Sequence, residues 1–266
     1  VYPNGSADVN HFHAAGGTGA LFSSLLDAGL MHADAKTCFG NGFGDFCQEP
    51  TLVDGQIEWR SATATSLDPE ILTTPATPFA PKGGVKLLEG NLGRSVIKTS
   101  AVQEQHHIVQ APAVVIDDQD DLKPLFEAGE LDKDCVVVVR FQGPAANGMP
   151  ELHKLTPMLG VLQDRGHKVA LVTDGRMSGA SGKVPAAIHL VPEASQGGPL
   201  AKIQTGDLIR LDATTGELSA KIDETELKSR TEAQAPNVPR TVGRGLFSNN
   251  RLAVSSAEEG ASSLFI

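Results

Sequence analysis

No stretch of this 266-residue sequence approaches the ~18 consecutive apolar residues of a membrane-spanning helix, and no basic, apolar, small-residue opening reads as a secretory signal. Basic residues are in the minority: 22 Lys and Arg against 32 Asp and Glu give a formal net charge of -10. That sign excludes a general binder of nucleic acid or anionic membrane, because phosphate surfaces require a basic partner. An anionic substrate would need a local cation to override the global field. Cysteine is scarce: Cys38, Cys47 and Cys135 are an odd number, and their spacing matches no CxxC metal or redox motif. Together these features point to a cytoplasmic protein. The sequence also has no initiator methionine and opens mid-phrase with "VYPNGSADVNHFHAAGG", which reads as the start of a fragment.

What is present suffices for one large domain or two smaller ones, since 40% apolar content is ordinary for a chain that buries a core. Residues 14–36 read as a Gly-led helix with Leu21, Leu25, Leu26 and Leu30 at helical spacing. Residues 60–83 hold four prolines among many Ser and Thr and read as a linker. Beyond it the pattern changes to short strands. "GVKLLEG", "RSVIKTSAV", "APAVVID", "CVVVVRF", "KVALVTDG", "AAIHLVP" and "DLIRLDATTGELSAKID" are rich in Val, Ile and Leu, with a hairpin turn at Gly216 in the last. Cys135, which opens "CVVVVR", reads as a small buried apolar residue. "DDQDDLKPLFEAGEL" and "MPELHKLTPMLGVLQDRG" read as helices, the first with acids suited to a helix start. We expect a mixed α/β chain, with residues 1–80 as a tail domain plus linker and residues 81–266 as a barrel-like domain.

Two loops carry the chemistry. "QGPAANGMPELHK" follows the run "VVVVRF" and is expected to deliver Glu151 to a helix start. "DGRMSGASGK" follows "KVALVT" and holds Arg176, Ser178, Ser181 and Lys183. Both leave buried strands at their carboxyl ends, so neighbouring strands would bring Glu151 and Ser178 to one pocket. The P-loop signature fails here because Met177 stands five residues before Gly182 and Val184 follows Lys183. The hydrolase elbow fails at both serines. A Gly-rich turn with a lysine can still hold an anion. Ser178 as a turn serine, Glu151 as a dipole-favoured helix-start acid, and Arg176 and Lys183 as solvated cations remain the plain alternatives. "NHFH" would put His11 and His13 on one face if extended, as a metal pair needs, but no third ligand stands nearby. "EQHH" at 104–107 is weaker, because adjacent histidines in a strand face opposite ways. "DDQDD" at 117–121 reads as a solvated helix start.

"TDGRMSGASGKVPAAIHLVPEA", "GPAANGMPELHKL", "EGNLGRSVIKTSAV", "GGPLAKIQTGDLIRLD" and "RLAVSSAEEGASS" together resemble the C-terminal part of the dihydroxy-acid and sugar-acid dehydratases. "PNGSADVNHFHAAGG" and "ANGMPE" resemble the 6-phosphogluconate dehydratase branch. The resemblance runs the whole length in colinear order. It implies a homodimeric hydro-lyase with an iron-sulfur cluster, taken as 4Fe-4S, and Mg2+, acting on a small anionic sugar acid. It implies a swivelling β-barrel, preceded by a helical remnant of an N-terminal α/β domain. By resemblance Ser178 is the base and Glu151 a magnesium ligand. The cluster cysteines and other magnesium ligands are expected outside this chain, so the chain alone is expected to be a non-catalytic substrate-side or dimerisation module. Arg176, Lys183 and His13 are the candidate substrate-binding cations, the substrate being 6-phosphogluconate or another sugar or dihydroxy acid.

Overall fold

A computed structural model describes residues 1–2, 5–177, 182–236 and 245–264. The chain divides into two compact units, Val1–Gly83 and Gly84–Ile266.

In the first unit, Asp8 caps helix α1 (Val9–Ala14): its carboxylate accepts from the amides of Asn10 and His11, while the His11 ring lies 2.7 Å from the same carboxylate. This corrects the extended reading of "NHFH". In a helix, residues two apart face different sides, so His11 and His13 do not form a metal pair. Helix α2 (Gly17–Asp27) begins after a turn at Gly16 (φ 121°) and Gly17 (φ 58°), and is shorter than the expected 14–36 segment. Leu21 packs toward the small core of Ala15, Ala20 and Leu72, whereas Leu30 lies beyond the helix and is exposed. Strands β1 (Lys36–Thr37) and β2 (Gly40–Asn41) form a minimal hairpin. Strands β3 (Gln48–Val53) and β4 (Gln56–Ser61) form a second, turning at Asp54 (φ 48°) and Gly55 (φ 79°), the two left-handed residues that a type I′ turn demands. The expected linker is therefore not one: its first residues end β4, and Leu72 is in the unit's core.

The second unit holds β5 (Val85–Gly90), β6 (Gly93–Lys98), β7 (Ile108–Ile116), α3 (Leu122–Glu127), β8 (Cys135–Val139), α4 (Pro144–Asn147), α5 (Leu155–Asp164), β9 (Val169–Thr173), β10 (Ala186–Val191), β11 (Leu208–Asp212), β12 (Glu217–Ala220), α6 (Glu224–Ser229) and α7 (Ser248–Ala253). Its eight strands close into a barrel in the order β10-β6-β5-β12-β11-β7-β8-β9, as the sequence led us to expect. The stretch β7-β8-β9-β10 is parallel, and the parallel steps β7 to β8 and β8 to β9 use α3 and α5 as crossovers.

The Val-rich runs follow from this layering. A parallel strand covered on both faces reads as a continuous apolar stretch. Val136, Val138, Ala170 and Val172 point into the barrel, among Ile209, Leu211 and Leu218. Cys135, Val137, Val139, Val169 and Leu171 point outward, under Leu122, Leu155, Leu159 and Leu162 of α3 and α5. Because β8 and β9 are adjacent, parallel and paired Val139 to Thr173, both loops singled out above leave the same rim of the barrel.

Candidate functional site at the carboxyl rim of β8 and β9

Two buried carboxylates hold this rim together. Asp174, directly after β9 and 1% exposed, accepts from the amides of Gln142 (2.9 Å), Ala194 (2.9 Å) and Phe141 (3.2 Å). Burial pushes its pKa up to about 6; the amide donors pull the other way, and the Glu193 charge adds to the rise. Glu193 accepts from the amides of Ala145 and Ala146, each at 3.2 Å, and from the Ser195 hydroxyl. It thereby satisfies the first N–H groups of α4, which no carbonyl within the helix can reach. Gly143 is required there, since a Cβ would fall 1.8 Å from Glu193 Oε2. Sequence reasoning placed Asp174 in the loop but missed the clamp, whose partners lie 32 and 20 residues away.

The clamp fixes where the next residues go. Met149 (φ 51°) follows Gly148 (φ 71°), and this pair of left-handed residues turns the chain back so that Glu151 pairs with Arg176 in a parallel β-bridge. Glu151 is therefore not at a helix start, because α5 begins only at Leu155. The guanidinium of Arg176 donates from Nε to the Met149 carbonyl (2.9 Å) and from NH1 to Glu151 Oε2 (2.7 Å). A planar fork suits two acceptors at once. The result is a half-buried Glu151 carboxylate held in one orientation by Arg176, which stands two residues before Ser178 in the sequence.

His189 is a further neighbour that the sequence gave no reason to select. A bulge in β10 puts it at φ 57° and lets its amide donate to the Gly175 carbonyl (2.9 Å). Burial, then the Arg176 charge, hold its pKa below the usual histidine value, which favours the neutral ring. On the far side of the serine loop, a Cβ on Gly182 would lie 3.6 Å from Lys98 Nζ, so a second cation borders the loop.

The structure joins Glu151 and Arg176 but does not add Lys183 to them. The Lys183 ammonium sits on the Asp164 carboxylate, at the C-terminal end of α5, whereas Glu151 precedes its N-terminal end. Ten helical residues, about 15 Å, separate those ends. His13 belongs to the first unit. Ser178 and Ser181 lie outside the described residues. His106 ends a 3-10 turn, and the His107 ring bonds the Val102 carbonyl at 3.0 Å. In the acidic run, Asp118 accepts from the Asp120 amide and Asp117 pairs with Arg140 at 2.7 Å.

Among the described residues, no group of three or more His, Cys, Asp or Glu could hold a metal ion. Magnesium takes one or two protein carboxylates and completes its shell with water and substrate, and Glu151 fits as one such ligand. An iron-sulfur cluster needs several thiolates, and this chain's cysteines do not fit. Cys135 is core, its thiol pushed up to about 11 by burial, while Cys38 is exposed and Cys47 half-buried. Among the described residues, no helix is long and apolar enough to cross a membrane.

Comparison with known proteins agrees with the motifs. Residues 70–261 match the Dihydroxy-acid/6-phosphogluconate dehydratase C-terminal family, and residues 1–46 match the corresponding N-terminal family. The phosphogluconate dehydratase of Pseudomonas aeruginosa is 56% identical over 99% of this chain, and that of Escherichia coli K12 is 54% identical over 98%. The dihydroxy-acid dehydratase of Ignicoccus hospitalis is 34% identical over 98%. The chain spans 43%, 44% and 45% of the length of these three relatives, less than half of each. This chain belongs to the dihydroxy-acid/6-phosphogluconate dehydratase family.

Proposed function

We propose that this chain is the substrate-side portion of a homodimeric hydro-lyase. The reaction converts 6-phospho-D-gluconate to 2-dehydro-3-deoxy-6-phosphogluconate and water, as in the Entner-Doudoroff route. The observation that carries this reading is the Glu151–Arg176 bridge beside the serine loop, in a chain 54–56% identical to two phosphogluconate dehydratases.

The reaction removes a weakly acidic proton from C2 and breaks the C3–O bond, giving an enol that becomes the 2-keto acid. Magnesium and an iron-sulfur cluster, when bound, supply Lewis acidity toward the substrate oxygens. The chain's residues have three tasks. Ser178 takes the C2 proton, for which its own proton must first be gone. Glu151 offers a carboxylate to magnesium in an orientation set by Arg176. The Asp174–Glu193 clamp keeps both loops at one rim, and such positioning is worth several kcal/mol of barrier. The isolated chain is expected to be inactive, because the cluster's thiolates must come from elsewhere.

The test is an anaerobic assay of the full-length protein loaded with cluster and Mg2+, with 6-phosphogluconate, gluconate and 2,3-dihydroxyisovalerate in parallel. Preference for phosphogluconate supports the assignment. Preference for either other acid keeps the family chemistry and overturns the substrate.

A further inference from the structure

We propose that the cavity between α4 and α7 is an anion subsite for the phosphate of a phosphorylated sugar acid, with Arg251 as its cation. This deepens the function proposed above and rests on it.

The cavity has a volume of about 440 Å³, and Asn147, Gly148, Asn250, Arg251 and Ser263 line it together with Phe247. Among the described residues that line it, none is a carboxylate, in a chain of net charge -10. The contrast with the adjoining cavity of about 360 Å³ is informative: it shares Pro144, Arg251 and Val254 but adds Glu193 and Glu259. Among the described lining residues, charge therefore favours an anion on the α4 side of Arg251. A guanidinium fork with amide and hydroxyl donors is the set that phosphate oxygens accept from most strongly. Asn147 is already held there, its amide donating to Gln142 Oε1 at 2.8 Å.

Position relative to the reacting end is the second argument. Gly148 lies three residues before Glu151, so the Cα atom of the cavity wall and that of the residue proposed to hold magnesium are at most about 11 Å apart. An extended six-carbon acid has a comparable reach from carboxylate to phosphate. The segment carrying Arg251 is anchored, because Arg94 of β6 pairs with Glu258 at 3.1 Å and the Ser255 amide donates to the Ser262 carbonyl at 3.0 Å.

The experiment uses the full-length protein in three forms: wild type, Arg251→Gln and Asn250→Asp. Asn250 is exposed, so its variant folds even if the Arg251 variant does not. Steady-state kinetics on the loaded enzyme compare 6-phosphogluconate with gluconate, as substrate or inhibitor. Titration calorimetry measures inorganic phosphate binding to the metal-free protein. The expected result is a KM for phosphogluconate raised about ten- to hundredfold, as loss of a charged hydrogen-bond partner implies, with gluconate affected less than twofold and phosphate binding weakened in parallel. Equal effects on both acids, or no effect on either, overturn the subsite. If wild type does not turn over phosphogluconate, the functional reading fails, and calorimetry still decides the subsite. Wild type that does not bind phosphate, or variants that bind it as well as wild type, overturn it.

Discussion

Replacing Asp174 with Asn should favour the variant over wild type progressively as pH rises from 4 to 7. The folded carboxyl titrates near 6 against an ordinary value of 3.8. Between those values the folded state binds more protons than the unfolded state, so this group's contribution to stability falls as pH rises through the window and is constant above it. At 1.36 kcal/mol per pH unit the full effect is roughly 3 kcal/mol, most of it developed between pH 4 and 7. Asn removes the charge but leaves one of the three amide donors facing an NH2 group, a pH-independent loss of about 1–3 kcal/mol. The signature is therefore the slope of the difference, not its sign at one pH. Carboxyls held below their ordinary values, such as Asp212, are common to both proteins and cancel. Thermal unfolding of the two proteins at pH 4 and pH 7 should show the variant gaining about 5–10 °C on wild type across the interval. A difference that does not change with pH would refute the assignment of a buried, high-pKa carboxyl to the clamp.

Three further outcomes follow from the same geometry. Gly143→Ala must displace Glu193 from the α4 amides, and should lower stability by about 2–4 kcal/mol in denaturant unfolding, with kcat falling as α4 shifts. Arg176→Lys keeps the charge but cannot hold both the Met149 carbonyl and the Glu151 carboxylate, so the apparent Mg2+ affinity of the loaded enzyme should drop about tenfold or more. Lys183→Glu disturbs an exposed ion pair at the far end of α5, and should leave the KM for phosphogluconate within about twofold; a selective rise would restore Lys183 as a phosphate ligand.

The barrel strands were legible because β8 and β9, buried on both faces, needed unbroken apolar runs, and because Gly216 marked the β11–β12 turn. The β3–β4 hairpin was not read, although Asp54-Gly55 carries its turn signal and Ile57 and Trp59 alternate with polar residues in β4; that strand is exposed along its whole length, so its alternation marks no buried face. "NHFH" was misread because Asp8, the residue that caps the helix, lies outside the four letters considered. The two loops and their common rim were inferable from strand ends. The bond between Arg176 and Glu151, the burial of Asp174 and the nearness of Arg251 to α4 were not, since each depends on contacts between segments distant in sequence. His189 lay inside an expected strand and gave no local sign of the bulge that turns it toward Arg176.

We propose Ser178 as the base of the dehydration and Glu151 as its magnesium ligand. The most direct test is 2-keto acid formation from 6-phosphogluconate by the loaded full-length enzyme, wild type against Ser178→Ala, with Mg2+ binding measured on both. We expect turnover to fall by about 10^2-fold or more while Mg2+ binding is retained. Full activity in the variant would contradict the account and leave Ser178 as a turn residue.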